Sequence, residues 1–308
     1  MARNRKTTLV VFSDLHVGSS VGLWPGKHAI EGGGVYEANV YQKWLYDCWK
    51  EMVAEVRAMR PAPTLILNGD AIQGSNWRDG QLVASQISDQ CSAAYKLIEP
   101  LRKAASAFYM VRGTEWHEGK ASDDVEQLAS ALDAVKDPAT GQNTWWEIFM
   151  NLGFDDKHPG PTAHIAHHVG ISSVPWYEAT VPLRDSLLLL AELARFGGPN
   201  VRVVLRAHRH RCIGVYAPPD IHVWVSPAWQ LKTAFAYKRA SSMVAQIGYL
   251  VLEYDGVDVV VKPRMFPLPG WHVEEPWRPT QKLWNWEQGS ERRESWKSML
   301  RRTLRSRI

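Results

Sequence analysis

Cysteine is scarce: Cys48, Cys91 and Cys212 are the only three in 308 residues. Few, odd in number and far apart, they spell neither a disulfide framework nor a cysteine-based zinc knuckle. Each reads as a small buried hydrophobe. Long apolar runs are also missing, and no stretch approaches the roughly 18 residues of a membrane span. The basic start, Met1 to Lys6, leads only into the short run Thr7–Phe12, too short for a signal-peptide core. A cytoplasmic protein without a transmembrane segment is the expectation. The glycine run at Gly32-Gly33-Gly34 lacks the following Lys-Ser/Thr of a phosphate loop and is expected as a mobile loop near the functional site.

Net charge is small, +4, and uneven. From Glu291 onward seven Arg or Lys face two Glu, which leaves the rest of the chain near −1. The basic character therefore belongs to an appendage. With 45% hydrophobic and 22% charged residues, the chain has ample material for a buried core.

What is present is an alternation of elements. Thr7–Phe12, Thr64–Leu67 and Ala107–Val111 read as buried strands. Between and after them lie helical patterns at Val40–Met59, 82–105 and Asp123–Val135. This order implies a largely parallel sheet with crossover helices. The second half reads mainly as strands: Trp145–Met150, Ala163–His167, Val201–Ala207, Ile213–Tyr216, His222–Val225, Tyr249–Tyr254 and Val257–Val261. One apolar helix, 183–196, interrupts them. Two packed sheets of mixed strands flanked by helices is the expected α/β architecture. The expected division is a catalytic domain over 1–263 and a Trp-rich, basic tail over 264–308.

The strand ends carry the chemistry. In open α/β sheets ligands gather at carboxyl ends of strands. Here those ends read Asp14-Leu15-His16, Gly69-Asp70, Gly113-Thr114-Glu115-Trp116-His117, His167-His168 and His208-Arg209-His210. Two residues apart at a strand end, side chains share a face. Of 11 histidines, six fall at these ends, too many for unrelated caps and turns. His164 should face the other side of its strand. Mixed imidazole and carboxylate donors suit Mn, Fe, Zn or Ni over a hard Mg or Ca cage, with Mn favoured. Asp70 has the oxygens to bridge two ions. Arg112, Arg206, Arg209 and Arg211 adjoin these motifs and are candidates for holding phosphate.

These motifs, in this order, resemble the calcineurin-like metallophosphoesterases over roughly 10–215. Members of that family fold as a two-sheet β-sandwich flanked by helices and bind two divalent metals. The resemblance implies that Asp14, His16 and His210 hold one ion, His167 or His168 with His208 the other, and that Asp70 bridges them. It implies in-line attack on phosphorus by a hydroxide bridging the metals, with His117 protonating or stabilising the departing oxygen. Where the family reads Gly-Asn-His-Asp/Glu, this chain has Gly113-Thr114-Glu115-Trp116-His117-Glu118, similar to phage-type members. Thr114 or Glu115 takes the Asn place, and His117 is displaced by two residues.

The expected function is a dinuclear phosphoesterase acting on phosphate esters, with nucleic acid or nucleotide phosphodiesters favoured. The alternatives are a phosphomonoesterase or protein phosphatase, and a degenerate member serving as a binding scaffold. Five of the 15 Trp lie at 271, 277, 284, 286 and 296, among the tail arginines. Aromatics interleaved with arginine stack on single-stranded bases, which makes nucleic acid a candidate partner. Packing of the tail over the domain is the stronger expectation.

Overall fold

The buried apolar run Leu9–Phe12 makes the heart of strand β1 (Thr7–Phe12). The computed structural model describes residues 6–269, apart from 32, 76–79, 121, 156, 171–173, 219 and 240–242. After β1 comes a hairpin of β2 (Lys27–Ile30) and β3 (Gly34–Glu37). Gly33 lies in its turn, so the segment expected as a mobile loop includes the turn of a hairpin. Helix α1 (Val40–Ala58) starts at a capping box: the Asn39 side chain accepts from the Tyr41 and Gln42 amides, and Gln42 bonds back to the Asn39 backbone. Its apolar stripe, Leu45, Cys48, Trp49, Met52, Val53 and Val56, is buried. Strand β4 (Thr64–Asn68), helix α2 (Ile87–Arg102) and strand β5 (Ala107–Val111) follow.

Next are the short helix α3 (Glu115–Glu118), helix α4 (Asp123–Ala131) and strand β6 (Thr144–Trp145). Strands β7 (Ile148–Asn151) and β8 (Thr162–Ile165) precede helix α5 (Thr180–Phe196). Strands β9 (Val201–Arg206), β10 (Ile213–Ala217) and β11 (Ile221–Val225) lead to the short helix α6 (Ala234–Arg239). The last pair is β12 (Ile247–Tyr254) and β13 (Val259–Phe266).

The first sheet has the order β13-β12-β1-β4-β5-β6 and the second β10-β11-β9-β8-β7. In the first, β1, β4, β5 and β6 run parallel, with β12 antiparallel to β1 and β13 antiparallel to β12. In the second, β8, β9 and β11 are parallel between antiparallel edges β7 and β10. One core joins them: Leu9, Val11, Ile66 and Val111 from the first sheet pack with Ile165, Val203, Leu205 and Trp224 from the second. The fold is therefore the expected pair of mixed sheets with helices. The single strand expected over 145–150 is two, β6 and β7, and the chain passes from one sheet to the other between them. Strand β13 runs on through Pro263 to Phe266, which an edge strand tolerates because one side needs no ladder N–H.

Among the described residues no helix is long and apolar enough to cross a membrane. Residues 270–308, and with them the tail tryptophans and arginines, lie outside the described residues.

Candidate metal centre

Parallel strands deliver their carboxyl ends to one edge, and five of them do so here. Past β1 come Asp14 and His16, past β4 Asp70, past β5 His117, past β8 His167, and past β9 His208 and His210. Three groups of donors result: Asp14, His16 and His210; His16, Asp70 and His117; and Asp70, His167 and His208. Within each group the ligand atoms lie within 4.8 Å of one another. Asp70 belongs to two of them, as does His16.

Alternation along a strand is not what turns the pairs inward. Asp14, His16, Asp70, His208 and His210 all have left-handed backbone, with φ of 55°, 45°, 52°, 72° and 53°. For non-glycine residues that conformation costs about 1–3 kcal/mol each and persists where the surroundings over-determine it. Here main-chain bonds do so. Asp14 N donates to Gly69 O at 3.0 Å, His16 N to Asp70 O at 3.1 Å, and Trp229 N to Asp14 O at 3.0 Å. His208 N donates to Asp14 Oδ2 at 3.3 Å, tying the second sheet to the first.

His167 is buried, whereas His168 is exposed with its ring 4.8 Å from that of His208. His167 Nδ1 donates to Asn68 O at 2.6 Å, so its Nε2 faces Asp70 Oδ2 at 3.3 Å. Asn68 also spans the sheets with its side chain, donating to Ala166 O at 3.2 Å. An imidazole held at one nitrogen by a carbonyl presents the other as an oriented donor.

The third strand end departs most from expectation. Glu115 is exposed and belongs to none of the three groups. Thr114 sits against the shared carboxylate. Its amide and hydroxyl both donate to Asp70 Oδ1, at 2.7 and 3.1 Å, because a buried carboxylate must have its lone pairs satisfied. His117 does reach the cluster, its ring centroid 4.4 Å from that of His16. Gly113 permits the close approach: a Cβ there would lie 2.2 Å from Asp70 Oδ1.

The arginines next to these motifs are engaged by protein groups. Arg112 donates to Thr144 Oγ1 at 3.1 Å and to Gln142, and stacks 4.3 Å from the Trp146 ring. Arg211 makes a fork on the Glu178 carboxylate at 2.9 and 3.2 Å, and Arg209 donates to the Glu178 carbonyl at 2.8 Å. Arg206 meets Asp185 at 3.0 Å and His164 Nδ1 at 3.0 Å. Largely buried guanidinium groups require such partners.

Electrostatics favours lone-pair donors at Asp14, Asp70, His16 and His208. Burial opposes ionisation of Asp14, but His16 and His210 outweigh it and hold the carboxyl well below the usual range. Asp70 is likewise lowered, burial being overcome by His167 and then His16 and His117. Burial, aided by His117, pushes His16 down to about 4. Burial and the nearby His167 do the same for His208, also to about 4. His167 goes the other way, to about 10, because Asp70 and Asp14 overcome the cost of burial. Asp14 Oδ1 and His167 Nε2 are buried without a hydrogen-bond partner. Ionised Asp14 and Asp70 beside neutral His16 and His208 are donors a borderline divalent ion takes, and His167 joins them by releasing the proton it otherwise holds against Asp70. The residues present fit that group.

Sequence reasoning passed over Glu118. It is fully buried and accepts from Ala71 N at 2.9 Å and Gly113 N at 2.5 Å, clamping the turns on either side of Asp70 and Thr114. Its signal was the acidic residue directly after His117. Nothing in the sequence marked Gln73 or Gln90.

No protein-family model matches this chain, and no curated protein does. Among solved structures it is similar to a conserved uncharacterized protein from Streptococcus pneumoniae, described as a predicted phosphoesterase. Identity is 12% and TM-score 0.37, covering 85% of this chain and 90% of that one. A Thermotoga maritima protein solved by NMR gives 16%, 0.38, and 84% and 99% coverage. Wild-type Vps29 from Entamoeba histolytica, complexed with zinc, gives 10%, 0.39, and 84% and 98%. Overlaps of this size leave the functional reading to the site itself.

Proposed function

We propose that the chain is a metal-dependent phosphoesterase of the calcineurin-like kind, hydrolysing phosphate esters, with phosphodiesters of nucleic acid or nucleotides favoured. The observation that carries this reading is Asp70, shared between two groups of converging donors. Asp14, His16 and His210 would hold one divalent ion, His167 and His208 a second, and Asp70 both. Such ions supply Lewis-acid stabilisation of phosphoryl charge and acidify an attacking water.

The chain's own groups do the rest. Thr114 holds one oxygen of Asp70 through two hydrogen bonds, which fixes the carboxylate's orientation. Asn68 orients His167. His117, held at Nδ1 by Gln73 O at 2.7 Å, presents Nε2 to the departing oxygen; donation requires the ring protonated at both nitrogens, and giving up the Nε2 proton leaves the neutral Nδ1–H form. The tail would add affinity for single-stranded nucleic acid.

The test compares bis-p-nitrophenyl phosphate, p-nitrophenyl phosphate and short oligonucleotides as substrates of Mn-loaded protein. Faster diester cleavage, abolished by Asp70→Asn, is the expected result. Preference for the monoester would shift the substrate class, and activity surviving Asp70→Asn would remove the shared carboxylate. Metal uptake with no hydrolysis would favour the scaffold alternative. Truncation at 290 should weaken single-stranded DNA binding, and binding should fall with salt.

A further inference from the structure

Helix α2 contributes no residue to the donor groups, yet it sends one buried side chain towards them. Gln90 is fully buried, and its amide uses two donor and two acceptor directions. Oε1 accepts from Gln73 N at 3.0 Å and Gly74 N at 2.9 Å. Nε2 donates to Gly74 O at 2.9 Å and Ala84 O at 2.7 Å. Among side chains only a carboxamide offers two donors and two lone pairs at one planar tip. The approach is close on its other side as well: a Cβ at Gly18, where φ is 110°, would lie 2.5 Å from Gln90 Cδ. Gln90 is thus packed between the loop after β1 and the loop after β4.

The residue it clamps is the one that meets His117. Gln73 O lies 2.7 Å from His117 Nδ1. A carbonyl only accepts, so the proton in that bond sits on Nδ1 and Nε2 is left for the cluster. Gln73 is restrained further by its amide, which also reaches Val17 O at 2.9 Å. Its side chain accepts from Gln230 at 3.0 Å.

We propose that Gln90 is a positioning residue: by clamping the Gln73-Gly74 backbone it aims the Gln73 carbonyl at His117 and sets that histidine's tautomer. The role given to His117 rests on the proposed phosphoesterase reading, but the tautomer itself does not. It is read without turnover, in metal-free full-length protein, from long-range 1H–15N correlations of the histidine rings. The His117 signals are assigned by their loss in His117→Ala.

Wild type should show His117 protonated at Nδ1. Gln90→Met, which removes all four bonds at similar volume, should replace that pattern by an average of both tautomers. Gln90→Glu retains the accepting oxygen and should keep the Nδ1–H form. Folding of each variant is checked by its backbone amide spectrum.

An unchanged His117 pattern in folded Gln90→Met would overturn the proposal. So would loss of the pattern in both folded variants, since the accepting arm would then not be what matters. Should the substitutions unfold the chain, wild-type hydrogen exchange decides. The Gly74 amide should exchange as slowly as the interior of α2, and exchange at the rate of an open loop would overturn the clamp. Absent hydrolysis would sink the phosphoesterase reading and leave this result standing.

Discussion

His16 and His210 face one another with their Nε2 atoms 3.2 Å apart, and Asp14 Oδ1 lies 3.8 Å from the first and 3.4 Å from the second. Two imidazole nitrogens at that separation share a proton or face a common cation. With His16 lowered to about 4 by burial and by His117, the cation is the better partner at neutral pH. Calorimetric titration with Mn or Zn should resolve two binding events in wild type and one in His210→Ala. Two unchanged events in that variant would remove His210 from the ligand set.

Thr114 touches the shared carboxylate through its amide and its hydroxyl. Thr114→Val keeps the shape and deletes the hydroxyl bond to Asp70 Oδ1, leaving the amide bond. Outer partners of this kind typically change metal affinity by about 10–100-fold. A loss of that size, with little change in melting temperature, is expected. An affinity equal to wild type would show that the amide alone orients Asp70.

Glu118 should matter for stability. Burial first, and Asp70 next, push its carboxyl from the usual 4.5 up to about 7. Between those values the native state keeps a proton that the unfolded chain has lost. The stability from this group is therefore fully present below pH 4.5 and is lost as pH rises through about 7. Urea denaturation of chelated protein should show that decline, flattened in Glu118→Gln. At neutral pH the substitution turns one accepting oxygen into a donor and so loses one of the two buried amide bonds, a cost of about 1–3 kcal/mol. A variant as stable as wild type would show that the clamp is dispensable.

The thiols should be unreactive. Burial raises Cys48 to about 11, helped by Glu51, and Cys91 to about 12, helped by Asp124. Burial also raises Cys212 to about 11. Raised values leave little thiolate at pH 8. Alkylation of native protein should therefore be slow and still rising beyond pH 9, while the unfolded chain labels at all three. Fast labelling at pH 8 would contradict the burial.

Much of the architecture was legible because strand and helix periods are local. The apolar runs Thr7–Phe12 and Ala107–Val111 became strands with those same bounds. The stretch around residues 145–150 misled, since two short strands with two residues between them look like one run. Their membership of different sheets is a long-range fact. The strand expected to end at Val261 runs on to Phe266, because an edge strand tolerates Pro263.

The sequence by itself determined which donor types stand at which strand ends: Asp14, His16, Asp70, His117, His167, His208 and His210. Parallel strands must release such residues along one edge. Tertiary structure decided their partners. It selected His167 over His168 for the buried cluster, turned Thr114 onto Asp70 and left Glu115 in solvent. It also bound the arginines to Thr144, Glu178 and Asp185. Those outcomes depend on left-handed turns and on hydrogen bonds between residues far apart in the chain, such as His208 N to Asp14 Oδ2, 194 positions apart. No local period encodes a bond of that kind; only the packing of two sheets brings its ends together.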